Sequence, residues 1–117
     1  MELPIDFTIR SAGATDPETL RTYARRRLEF ALRRFENRVR HVIVRLGDIN
    51  GPKRGVDSRC SITLRLRDGG APIDVDAVTT WPFASITLAA KRLNAALRHD
   101  LERAHVRVRR PPRGPVR

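Results

Sequence analysis

The residues that could do chemistry are few, and their spacing works against catalysis. His41, His99 and His105 share no metal-ligand spacing, and Asp74 and Asp76 alternate in "PIDVDAV" so that both carboxylates point to the outward face of a strand. Cys60 is the sole cysteine, which excludes a disulfide framework and a multi-cysteine zinc site. It falls at an inward position of "RCSITLRLR" with no activating neighbour, so it reads as an inert core thiol. No glycine-rich phosphate loop opens either helix, and "GPKRG" has three residues between its glycines, one more than the GXXG clamp of KH domains. An enzyme, a metal site, a cofactor and a small-molecule substrate are therefore not expected. The abundant chemical group is guanidinium. The 117 residues carry 24 Lys and Arg against 13 Asp and Glu, a formal charge of +11, and only Lys53 and Lys91 are lysine. A polyanion is the partner such a chain calls for.

The charge is distributed in a way that narrows this further. Residues 106–117, "VRVRRPPRGPVR", hold five arginines and no acid among prolines and a glycine, the composition of a disordered tail. Removing those five still leaves residues 1–105 at +6, so the part that folds is basic in its own right. Two units are expected, a globular domain over 1–105 and an Arg/Pro-rich tail over 106–117. No apolar run approaches the roughly 18 residues of a membrane span, and "MELPIDFTIRS" is not a signal peptide. With one cysteine, the expected compartment is the cytoplasm, with no membrane partner.

The elements that would position the arginines follow from periodicity. "PIDFTIR" alternates Ile5, Phe7 and Ile9 with Asp6, Thr8 and Arg10, the two-residue repeat of a half-buried strand. "SAGATDPE" then offers Asp16 as an N-cap and Pro17 as a first helical residue. From Leu20 the period becomes helical, with Leu20, Ala24, Leu28, Ala31, Leu32 and Phe35 on one stripe. Arg26 and Arg33 lie opposite that stripe, and Arg21, Arg25, Arg27 and Arg34 flank it. Glu29 is the one acid among these six arginines, so pairing along the helix cannot neutralise the face.

"HVIVRL" is a second strand with Val42, Val44 and Leu46 inward, and "GDINGPKRGVD" is a basic loop. The third strand buries Cys60, Ile62, Leu64 and Leu66; "DGG" at 68–70 is a hairpin turn; the fourth strand buries Ile73, Val75 and Ala77. Asp74 and Asp76 could then pair across strands with Arg65 or Arg67. Thr79 or Thr80 caps a second helix whose stripe is Phe83, Ile86, Ala90, Leu93, Leu97, Leu101 and Ala104. Trp81 reads as a hydrophobic staple or core-edge residue rather than a base-stacking one.

The order βαβββα predicts an α+β fold, a two-layer sandwich of one four-stranded sheet with both helices on one face. The first helix is a crossover, so strands one and two should be parallel and strands two to four an antiparallel meander. Two helices on one face bring their outward sides together, and the arginines of the first with Lys91, Arg92 and Arg98 of the second would make one basic surface.

The residues also resemble a known family, the ribosome hibernation-promoting factors or ribosome-associated inhibitors, over about residues 3–105. The carriers are Leu20, Arg21, Tyr23, Leu28 and Phe35 in the first helix, followed at once by "VRHVIVRL", and "FASITLAAKRLNAALR", which is similar to the family's "YAAIDALVDKLERQLR". The resemblance implies a fold like that of double-stranded RNA-binding domains. It also implies binding to the small ribosomal subunit in the channel for messenger and transfer RNA, which would hold ribosomes inactive under stress. The RNA-binding positions that match the family are Arg21, Arg92 and Arg98, with Lys91 beside them; Arg25, Arg26, Arg33 and Arg34 are added on helix geometry. Thr87 stands where the family usually has aspartate. Phe30 stands where lysine is common, and it reads as a partner contact or a tolerated surface residue, with the second preferred. The chain resembles a short form, which would need a second factor to dimerise ribosomes. The competing readings are a general double-stranded RNA-binding protein without a ribosome role, and an adaptor for an acidic protein.

Overall fold

The structure is a computed structural model and describes residues 5–12, 17–48 and 57–109, by backbone alone at Ala12, Asp48 and residues 104–109. The elements are β1 (Asp6–Ala12), α1 (Pro17–Ala31), a 3-10 turn (Arg33–Phe35), β2 (Val39–Asp48), β3 (Ser58–Leu66), β4 (Ile73–Thr79) and α2 (Pro82–Arg109). The sheet order is β1-β2-β3-β4, with β1 parallel to β2 and the other pairs antiparallel. This is the expected βαβββα arrangement, an α+β fold. The expected Asp16 cap and the "GPKRG" loop lie outside the described residues.

Strict alternation fixes which face of the sheet is covered, because a one-residue slip would turn every apolar side chain to solvent. Val42, Val44 and Leu46 of β2 and Cys60, Ile62, Leu64 and Leu66 of β3 are buried, as is Ala77 of β4. Onto them pack Leu20, Ala24 and Leu28 of α1 and Ile86, Ala89, Ala90, Leu93 and Leu97 of α2, so both helices share one core. Phe7, Ile9, Ile73 and Val75, on the two outer strands, are only partly buried, because each helix covers the sheet centre more fully than its edges.

The first helix ends earlier than its apolar stripe. The α-helical pattern stops at Ala31, and the chain tightens into the 3-10 turn, with Phe35 N–H donating to Leu32 C=O at 2.8 Å. Three residues per turn place Leu32 and Phe35 on the same side, and both stay buried while the chain swings into β2. The freed end of α1 is tied by α2: Asn94 Nδ2 donates to Ala31 C=O at 2.8 Å, satisfying a last-turn carbonyl. Arg38, just beyond, reaches Asp100 of α2 at 3.7 Å and Asp68 of the hairpin at 3.9 Å.

The β3–β4 hairpin turns at Asp68–Gly70 as the sequence predicts. Gly69 has φ +80°, a left-handed value that glycine adopts without steric cost, and Asp68 Oδ1 accepts from Gly70 N–H at 3.0 Å. The expected acid partners change, however. Asp76 takes both ends of Arg59 (Nε and Nη2, each 2.9 Å), and Asp74 accepts from Thr63 Oγ1 at 2.6 Å, in place of Arg65 or Arg67. Register explains the difference, since Asp74 sits opposite Thr63, and Asp76 opposite Ser61 and diagonal to Arg59.

The start of α2 also differs from expectation. Ser85 N–H donates to Trp81 C=O at 3.1 Å, which makes Trp81 itself the residue flanking the helix. Thr79 Oγ1 binds the Trp81 backbone, donating to its C=O at 2.6 Å and accepting from its N–H at 3.3 Å, so it braces the preceding turn instead of capping the helix. Trp81 leaves the core edge, being 62% exposed with its ring tilted against Phe83 at 5.3 Å. At the other end, Leu101 is exposed, and the helix continues to Arg109. Residues 110–117 of the Arg/Pro-rich tail lie outside the described residues.

Candidate nucleic-acid interface

The two helices run side by side in the same direction. Near their starts, Tyr23 of α1 meets α2 twice, with its ring edge-on to Phe83 (4.9 Å between centroids) and its hydroxyl 2.7 Å from Thr87 Oγ1. Near the end of α1, Ala31 meets Asn94. Thr87, which stands where the resembled family carries an acid, is thus a neutral hydrogen-bond partner of Tyr23.

From Thr87 to beyond Asn94, the helices border a groove of about 750 Å³. Arg27 and Phe30 of α1, with Arg33 and Arg34 of the 3-10 turn, line one side, and Lys91, Ala95 and Arg98 of α2 line the other, with Ala31 and Ala90 at the floor. Spacing explains the second wall: Thr87, Lys91, Asn94 and Arg98 recur at three- and four-residue steps and so share one side of α2. The alanines keep the floor low, leaving the long cationic side chains to rise at its rim. Among the described residues no carboxylate pairs with Arg27, Arg33, Arg34, Lys91 or Arg98. Arg27 Nε is also buried without a hydrogen-bond partner. Five cations around one concavity with no internal counterion form a site that favours an anionic ligand.

The residues singled out from sequence separate accordingly. Arg33, Arg34, Lys91 and Arg98 converge on the groove. Arg26 sits at the head of the helices in a shallower hollow with Glu18, Thr22, Tyr23 and Phe83. Arg25 points to the β1 side, with its guanidinium 4.8 Å from the Phe7 ring centroid and its Nε 3.2 Å from Glu29. Arg21 pairs with Glu18 at 3.2 Å. Arg92 turns toward β4, where its Nη1 donates to Asp76 C=O at 2.6 Å. Arg27 and Asn94 are groove residues that sequence reasoning did not choose, although Arg27 flanks the apolar stripe and Asn94 lies in line with Lys91 and Arg98. Phe30 is 67% exposed, and the Arg33 guanidinium stands 5.6 Å from its ring centroid.

Elsewhere the chemistry is quiet. Cys60 is fully buried, and burial, with a contribution from the Asp76 charge, pushes its thiol up to about 12, consistent with an inert core residue. On the open sheet face, the hydrogen bonds from Arg59 hold the Asp76 carboxyl below the usual carboxylate range, aided by Ser61, while Asp76 in turn raises Arg59. Among the described residues there is no group of His, Cys, Asp and Glu fit to hold a metal, and no helix is long and apolar enough to cross a membrane.

A mixed four-stranded sheet carrying two parallel helices on one face defines a class of small α+β domains. Solved structures of this fold include the N-terminal domain of Protein Y from Thermus thermophilus, with a TM-score of 0.61 at 17% identity over 85% of this chain and 98% of that one. A ribosomal subunit interface protein from Coxiella burnetii aligns with a TM-score of 0.67 at 14% identity over 83% of this chain and 98% of its own. At these identities the likeness is one of fold, and it agrees with the fold implied by the sequence resemblance. No family model matches the sequence, nor does any curated protein.

Proposed function

We propose that this protein is a ribosome-associated translation inhibitor of the hibernation-factor type. It binds the small ribosomal subunit and occupies the channel for messenger and transfer RNA, with no chemistry of its own. The observation that carries this reading is the unneutralised cationic groove, set on a fold shared with a ribosomal subunit interface protein. Ribosomal RNA supplies the anionic ligand, and Arg27, Arg33, Arg34, Lys91 and Arg98 are its principal contacts. Arg26 extends the surface at the head of the helices. Arg21, Arg25 and Arg92, already engaged within the fold, contribute less.

The test is co-sedimentation of the protein with small subunits on sucrose gradients at near-physiological salt, with a duplex-RNA competitor present. Stoichiometric binding that resists the competitor and is abolished in Lys91→Glu/Arg98→Glu supports the reading. Binding that the duplex removes would make the protein a general double-stranded RNA binder. Absence of binding to any RNA would leave an acidic-protein adaptor.

A further inference from the structure

The groove is more than a set of charges. A surface that met only phosphates would gain nothing from an apolar ring among its cations, yet Phe30 is the most exposed of the large apolar side chains described, at 67%. It shares the groove with Arg27, Arg33, Arg34, Lys91 and Arg98, and one side of its ring is flanked by the Arg33 guanidinium. The alanine floor makes the centre of the groove apolar and the rim cationic, with a volume in the range of roughly 300–1,000 Å³ typical of clefts that enclose a small ligand. A duplex offers such a site only its phosphates, because its bases are stacked on each other. An unpaired nucleotide offers both a flat π-face and a flanking phosphate.

We propose that Phe30 is a base-stacking platform and that the groove takes an unpaired stretch of RNA, with one base on the ring and the adjoining phosphates on Arg27, Lys91 and Arg98. Arg33 then serves twice, as a cation beside the phosphates and as a planar neighbour to the stack. The inference rests on the reading of the groove as an RNA site and specifies the form of RNA it accepts.

The test is fluorescence polarisation with three labelled probes at matched salt: a short mixed-sequence single-stranded oligoribonucleotide, an abasic oligomer of the same length, and a duplex. The full chain should prefer the intact single strand to both others. Phe30→Ala should weaken the intact strand by about 5- to 150-fold, the range of one lost base–aromatic stack, while changing the abasic probe little. Phe30→Trp should restore the preference. Equal binding of intact and abasic strands, preference for the duplex, or an equal loss on both single strands in Phe30→Ala would overturn the proposal, the last by showing that Phe30 only positions Arg33. If Phe30→Ala leaves all three affinities unchanged while Lys91→Glu/Arg98→Glu still abolishes subunit binding, stacking is wrong and the ribosome-binding reading stands.

Discussion

Removing Lys91 and Arg98 together, as Lys91→Ala/Arg98→Ala, should flatten the salt dependence of RNA binding by a calculable amount. The groove gathers five cations without a carboxylate partner among the described residues: Arg27, Arg33, Arg34, Lys91 and Arg98. If each neutralises one phosphate, log K should fall with log salt at a slope of about −3.5 to −4.5, using roughly 0.7 to 0.9 per contact. The double variant should show about −2.1 to −2.7. A four-fold rise in salt would then weaken the parent by about 130- to 500-fold and the variant by about 20- to 40-fold. The assay is small-subunit binding measured at several salt concentrations, with Arg59→Ala as a control. Arg59 is held at both ends by Asp76 on the open sheet face, so its loss should leave the slope near that of the parent. A double variant with the parent slope, or an Arg59→Ala protein that loses as much slope, would show that the phosphates lie elsewhere and refute the groove.

Three further outcomes follow from the fold. The Asp76 carboxyl is held below its ordinary value by Arg59, so the stability it contributes is complete above the ordinary Asp pKa of about 3.9 and is lost as pH falls through the depressed value. Thermal melts should therefore fall more steeply on acidification for the parent than for Asp76→Asn, and parallel curves would contradict the pairing. Cys60, buried and with its thiol pushed up to about 12, should resist a thiol reagent at pH 8 in the native protein and react at once in denaturant; rapid native labelling would place it outside the core. Leu93, fully buried where α2 meets the sheet, should cost about 2–5 kcal/mol as Leu93→Ala in denaturant titrations, and a loss below about 1 kcal/mol would mean the two layers are not packed through it.

The fold was legible because its signals are local and repeated. Alternation in "PIDFTIR", "HVIVRL" and "RCSITLRLR" assigns the sheet face, and a crossover helix between the first two strands dictates their parallel pairing. The groove was less so, because membership depends on how two helices lie against each other. Lys91 and Arg98 could be seen to share a side of α2, but Arg27 joins them only because Tyr23–Thr87 and Asn94–Ala31 set the helices side by side in parallel. The engagement of Arg21 and Arg25 was partly visible, since Glu18 and Glu29 stand three and four residues away. A tally of net charge along the helix hides such pairs. Neither the 3-10 turn after Ala31 nor the exposure of Trp81 has a periodic signature, as each depends on where the chain must go next.

The contact between Arg92 and Asp76 bears on a different hazard. β4 is one of the two edge strands of the sheet, and an edge strand presents unpaired backbone groups that can recruit a strand from another molecule. Arg92 claims one of the β4 carbonyls with a charged donor, placing a bulky cation where an incoming strand would have to dock. A side chain that looked like part of the RNA-binding surface is thus placed to hinder edge-to-edge pairing at β4. One arginine turned away from the groove belongs to the defence of the sheet edge, a role that a count of charges would not reveal.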